Sequence, residues 1–180
     1  MNLEKFDPFN NRQARDIRNT LSKSFLESLV EKDVSVFQKR AAGYLQQDLE
    51  QVYQMYVKKR LLKYDEVFAL IEQGKIEEKF HQALILWDQE LYFEMHELLE
   101  KIWINAAGNE RKALQGLIRA AGMKIHAESG NIKASITMGR KAQGDLQLYK
   151  GALKQPGHLD SILIEITETL SKMDSTSQAQ

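Results

Sequence analysis

The chain has 180 residues, with 25 lysines and arginines against 25 aspartates and glutamates, two prolines and no cysteine. Balanced charge lacks the clustered basic excess of a nucleic-acid footprint, and the absence of cysteine removes disulfides and thiolate metal sites. No apolar run approaches the ~20 residues of a membrane span.

Leucine, alanine, glutamate, lysine and glutamine abound while helix breakers are scarce, which points to an all-α protein. The length suits one compact domain, or one domain with a helical extension. The opening MNLEKFDPFN has no apolar core of a signal peptide, so a cytoplasmic location is the expectation.

Ala14, Ile17, Leu21, Phe25 and Leu29 recur at helical spacing and predict a first amphipathic helix over 12–31. Asp33 can cap a second, carrying Val36, Phe37, Ala41, Tyr44 and Leu45. A third is expected from near Asp48, with Val52, Tyr53, Tyr56, Leu61, Tyr64, Phe68 and Ile71 inward; Gly74 ends it by taking positive φ. The basic run Lys58–Lys59–Arg60 with Lys63 reads as its solvated face.

Shorter helix–turn–helix units follow. Residues 76–87 form one helix, and Asp88 is expected to cap the next, which holds ELYFEMHELLEKIW and stops near NAAGNE. Helices over 110–128 and 131–152 are separated by SGN, with Asn131 as a cap. After QPGH, Leu159, Ile162, Leu163, Ile166 and Leu170 predict a last helix, followed by a polar tail. The expectation is a multi-helix bundle of antiparallel helical hairpins: an N-terminal extension over 1–75 packed on the core, a core over 76–173, and a disordered tail over 174–180. GNIKASITMGRKA resembles one tetratricopeptide-type unit, but no sustained repeat accompanies it.

Two helices carry polar stripes. At about 100° per residue, Leu91, Tyr92, Met95, Leu99, Ile102 and Trp103 share one apolar sector. His96 and Glu100 fall between that sector and Phe93 and Ile104, and are expected to be at least half buried. Glu90, Glu94 and Lys101 take the solvated face, with Glu97 at its margin. A buried carboxylate needs a partner. On the next helix Arg111, Gln115, Arg119, Gly122 and His126 follow one another at steps of three or four, and a short link makes the two helices antiparallel neighbours. Glu100 and Glu97 are therefore expected near Arg111, Gln115 or Arg119, with His96 and His126 in the same cluster. Gly122 lets another group approach.

YFEMHELLEKIW, GNERKALQGLI and HAESGNIKA in that order resemble domain-of-unknown-function family 309 over roughly residues 80–150. The shared positions are Phe93, Glu94, His96, Glu97, Glu100 and Trp103, then Gly108, Arg111, Leu114, Gln115 and Gly116, then His126, Gly130, Asn131 and Ala134. The resemblance implies an all-helical bundle and no established activity. It also implies two departures, since family members usually carry glycine in place of Glu90 and often glutamine in place of Arg119.

Three readings of the stripes compete. In the favoured one, the chain is an interaction or scaffold module, and Glu94, His96, Glu97, Glu100, Trp103, Arg111, Gln115, Arg119 and His126 form a structural polar cluster. In the second, Arg111 and Arg119 grip a small anion or metabolite by forked hydrogen bonds while His96 or His126 moves protons. In the third, His96, Glu100 and His126 ligate a divalent metal and Glu97 is the general base of a hydrolase. No cofactor is expected outside that metal. The expected partner is a protein or a small polar ligand, with neither nucleic acid nor membrane. Trp87, Tyr92, Trp103 and the methionines read as core or interface. The Leu159–Leu170 stripe closes the bundle in preference to forming a homodimer.

Overall fold

The computed structural model describes residues 5–178, with side chains through Ser175, and every α-helix, turn of 3-10 helix and loop among them belongs to an all-α, multi-helix architecture. The chain divides between Glu77 and Glu78 into two compact units.

In the first unit α1 (Arg12–Glu31), α2 (Ser35–Leu45) and α3 (Gln51–Gln73) pack on one another in all three pairings. Phe25 stacks on Tyr64 with ring centroids 4.3 Å apart, and Phe37 meets the two rings edge-on at 5.7 and 5.6 Å. Ile17, Leu21, Val57 and Ile71 complete this buried core, each worth about 1.5–3 kcal/mol in burial. The Asn11 side chain caps α1 by accepting the Ala14 N–H at 2.9 Å. Asp33 accepts the Ser35 N–H at 2.8 Å and its hydroxyl at 3.0 Å, one residue ahead of the cap position. Gly74 differs from expectation: its φ is −75°, and Lys75 takes the left-handed conformation at 51°. The turn closes by Lys75 N–H to Glu72 C=O and Ile76 N–H to Ile71 C=O, so the strained position lies one residue later.

The second unit contains α4 (Lys79–Asp88), α5 (Tyr92–Trp103), α6 (Gly108–Glu128), α7 (Ile132–Tyr149), a 3-10 turn (Lys150–Ala152) and α8 (Pro156–Gln178). Each α-helix packs on the next, and α6 with α7 forms the most extensive pair. Small residues permit that close approach. A Cβ on Gly122 would lie 2.7 Å from the Met138 sulfur, and one on Gly139 would lie 2.5 Å from the Met123 sulfur. Gly122 thus makes the close approach expected of it, and the approaching group is a methionine of α7. Asn131 caps α7 through Ala134 N–H at 3.4 Å.

Asp88 does not cap α5. It ends α4, and the backbone then turns through Glu90, whose φ is 56°. Glu90 N–H bonds the Trp87 carbonyl at 2.9 Å and Leu91 N–H bonds that of Leu86 at 2.8 Å. This is the helix-terminating turn that favours glycine, because a Cβ crowds the backbone in the left-handed region. It supplies a physical reason for glycine at this position.

In α8 the side chains of Leu159, Ile162, Ile166 and Leu170 are buried. The helix runs through Gln178, beyond the onset of the expected tail, because SKMDSTSQ contains no glycine or proline to break it. Residues 179 and 180 of that tail lie outside the described residues. Three side-chain links tie the two chain ends of this unit together: Glu78 with Lys154 at 2.7 Å, Asp88 with His158 at 2.9 Å, and Trp87 with Glu165 at 2.8 Å.

Candidate functional site

The helical spacing of α5 brings three of the expected residues together. His96 Nδ1 lies 3.7 Å from Glu97 Oε1, and His96 Nε2 lies 3.9 Å from Glu100 Oε1. One ligand atom from each of these residues falls within 4.8 Å of the others. The His96 side chain is 26% exposed, that of Glu97 41% and that of Glu100 52%, so the group forms a rim open to solvent. Nδ1 of His96 is nevertheless buried and has no hydrogen-bond partner.

This exposure corrects the expectation that Glu100 is at least half buried beside an arginine. Arg119 pairs with Asp145 of α7. Arg111 stacks on Trp103, its guanidinium carbon 3.7 Å from the ring centroid, and donates to the Ala106 carbonyl at 3.3 Å. The reason is rotational. Each step of four residues advances about 40° around a helix, so by Arg119 the stripe has turned from the α5 side of α6 towards α7. Gln115, between the two arginines, is partly exposed.

Glu94 is a second correction. The wheel places it in solvent, yet it is fully buried in the first turn of α5. Because α5 packs against both α4 and α6, the sector counted as solvated is covered at this end, and the positive end of the helix dipole favours a carboxylate there.

His126 does not join the His96 group. The 21 residues of α6 and the 12 of α5 correspond to lengths of ~31 and ~18 Å, so His126 lies past the start of its antiparallel neighbour. Burial holds its imidazole below the ordinary histidine value. Trp103, three residues beyond Glu100, is partly exposed but has its indole N–H buried without a hydrogen-bond partner.

A further cluster was not legible as a site. Trp87 Nε1 donates to Glu165 Oε2 at 2.8 Å, and Lys124 pairs with the other oxygen of the same carboxylate. The Lys124 ammonium stands 5.5 Å from the Trp87 ring centroid and 5.6 Å from that of Tyr92, and the two rings meet edge-on at 5.1 Å. The Tyr92 phenol is pushed well up by burial first, then by the charges of Glu165, Glu90 and Glu128. Trp87 and Tyr92 are core aromatics, as expected, but also carry this polar arrangement. Lys124 and Glu165 are 41 residues apart, and helical periodicity holds no signal at that range.

Chemically, an imidazole and two carboxylates on one helical rim are a donor set suited to zinc, manganese or nickel, with coordination positions left for solvent. Around an ion with bonds of ~2.1 Å, adjacent ligand atoms stand ~3 Å apart. Side-chain rotations that move the donors by ~1–2 Å would bring them to that spacing. The exposed Glu100 side chain has room to move towards the imidazole.

No curated protein and no solved structure matches the chain. A family model matches residues 80–138 and ends short of residue 150, to which the resemblance extends. Across α4, α5, α6 and the first part of α7, the matched residues 80–138 are similar to a family described as a domain of unknown function (DUF309).

Proposed function

We propose that the second unit binds a divalent transition-metal ion at His96, Glu97 and Glu100. The observation that carries this reading is the convergence of three ligand atoms of suitable chemistry within 4.8 Å on one solvent-facing rim. The preference shifts from a structural cluster because Arg119 is engaged by Asp145 and Arg111 lies over Trp103. The same facts count against a forked arginine grip on a small anion. Glu97 serves as the third ligand in place of a general base, since its oxygen already stands 3.7 Å from the imidazole.

The test is a thermal-shift and calorimetric titration of protein purified without an affinity tag, using zinc, manganese and nickel. At a hundredfold excess over Kd, binding adds about 2.7 kcal/mol of stability. His96→Ala and Glu100→Gln should each abolish that gain. Without metal, Glu100→Gln should alter stability by less than about 0.5 kcal/mol, as for an ordinary surface change. No response in the wild type, or an equal response in both variants, refutes the site.

The interaction-module reading stays as a second proposal because Ile104, Leu148 and Ile164 are more than half exposed. It predicts a concentration-dependent oligomer or a bound protein whose affinity falls when Leu148 and Ile164 are changed to serine. Sedimentation of the two forms checks the oligomer.

A further inference from the structure

The third helix of the first unit is apolar on two opposite sides. Tyr53, Val57, Tyr64, Val67 and Ile71 of α3 are buried in the core of that unit. At about 100° per residue, Met55, Leu62 and Leu70 fall on the other side of the helix, where they are 61%, 66% and 45% exposed. A helix lying on one core ordinarily turns polar residues outward, so a second apolar stripe points to a second contact. Two exposed charged residues, Lys59 and Glu66, share the stripe, and all five side chains fall within an arc of about 80°. We propose that this outer face of α3 pairs with α3 of a second copy of the chain, the two helices running antiparallel about a two-fold axis beside Leu62.

The order of residues along the stripe selects that partner. Met55 and Leu70 are placed symmetrically about the bond joining Leu62 to Lys63, and so are Lys59 and Glu66. A two-fold axis at that bond sets each position opposite its counterpart in the other copy. Met55 then meets Leu70 of the second copy, Lys59 meets Glu66, and the two Leu62 side chains meet at the axis. The charges of the stripe are thus self-complementary in the antiparallel register. A parallel pair in register would set lysine against lysine and glutamate against glutamate, which repel. Within their own chain the Lys59 and Glu66 side chains have no hydrogen-bond or ion-pair partner among the described residues. The surface uses no residue of the proposed metal rim and none of Ile104, Leu148 and Ile164, so each of those readings stands or falls separately.

Sedimentation velocity of the full chain over a range of concentrations is the first measurement. A dimer that dissociates in the micromolar range is expected, because a contact of about four helical turns is at the small end of protein interfaces. Leu62→Glu places like charges together at the axis and should leave a monomer, with an unchanged unfolding midpoint showing that the fold survives. Lys59→Glu should weaken the dimer about fivefold or more, and adding Glu66→Lys to it should restore the affinity. The chain has no cysteine, so introduced thiols report the register by oxidation. Met55→Cys and Leu70→Cys should cross-link when the two proteins are mixed, and neither should cross-link alone, since the positions stand ~22 Å apart along the helix. The proposal is overturned by a monomer at about 100 μM, where a dimer of ~10 μM affinity would be well populated. It is also overturned by a dimer that survives Leu62→Glu, or by a double charge variant that associates no better than Lys59→Glu. Dissociation by Leu148→Ser with Ile164→Ser instead would assign association to the second unit and refute this surface. Cross-linking of Met55→Cys with itself would show a parallel pair and refute the axis.

Discussion

Two glycines of α7 offer a controlled measurement of how tightly α6 and α7 meet. Gly139 and Gly144 lie five residues apart in the same helix, so alanine brings each a similar propensity gain of about 0.5–1 kcal/mol. Their surroundings differ. A Cβ at Gly139 would stand 2.5 Å from Met123 Sδ and 2.8 Å from Leu170 Cδ2, whereas one at Gly144 meets nothing within 4 Å. Met123 and Leu170 are themselves buried, so neither can swing into solvent to make room. Overpacking of this kind costs roughly 1–3 kcal/mol. Gly144→Ala should therefore stabilise by about 0.5–1 kcal/mol, while Gly139→Ala should destabilise by up to roughly 2.5 kcal/mol after its propensity gain is subtracted. Urea unfolding followed by circular dichroism measures both, with a common m-value as the check that the denatured state is unaltered. If Gly139→Ala is as stable as Gly144→Ala, the contact between α6 and α7 is looser than described and the reasoning fails.

Glu90→Gly relieves a left-handed residue, worth about 1–2 kcal/mol, against an entropic loss of about 0.5–1 kcal/mol in the unfolded chain. The urea midpoint should rise by the equivalent of up to roughly 1.5 kcal/mol; a fall would show that the Glu90 side chain contributes more than its backbone costs. His126 governs a pH effect. Burial lowers its folded value, so below the ordinary value of about 6.5 the unfolded chain binds more protons. Its stabilising contribution is complete above that value and declines as pH falls from there to the lower folded value. His126→Gln should flatten the decline of the thermal midpoint between about pH 7.5 and pH 5.5, and identical slopes in the two proteins would refute the assignment.

Much of the helical plan is readable from periodicity, and particular residues show where that stops. The Ala14–Leu29 stripe marks α1, and Asn131 marks the start of α7, because both signals are local. The turn at Glu90 is hidden because a glutamate there carries none of the usual signs of a left-handed position. The His96–Glu97–Glu100 group is legible since its spacing is a property of a single helix. Its surroundings are not, because Arg119 had an unseen alternative in Asp145, 26 residues further on. Glu94 fails for a related reason: a helical wheel reports which residues share a face, while the number of neighbouring helices decides how many faces are covered.

The three links between the beginning and end of the second unit have a consequence for how the protein is made. Glu78, Trp87 and Asp88 emerge from the ribosome long before Lys154, His158 and Glu165. Until α8 arrives, the Trp87 indole and the Lys124 ammonium lack the carboxylate that both use. A nascent chain can build the α6–α7 hairpin from local contacts, but the unit acquires its closing strap only once α8 has been made. Chains that stop short of Glu165 therefore lack both the acceptor of the Trp87 indole and the partner of the Lys124 ammonium.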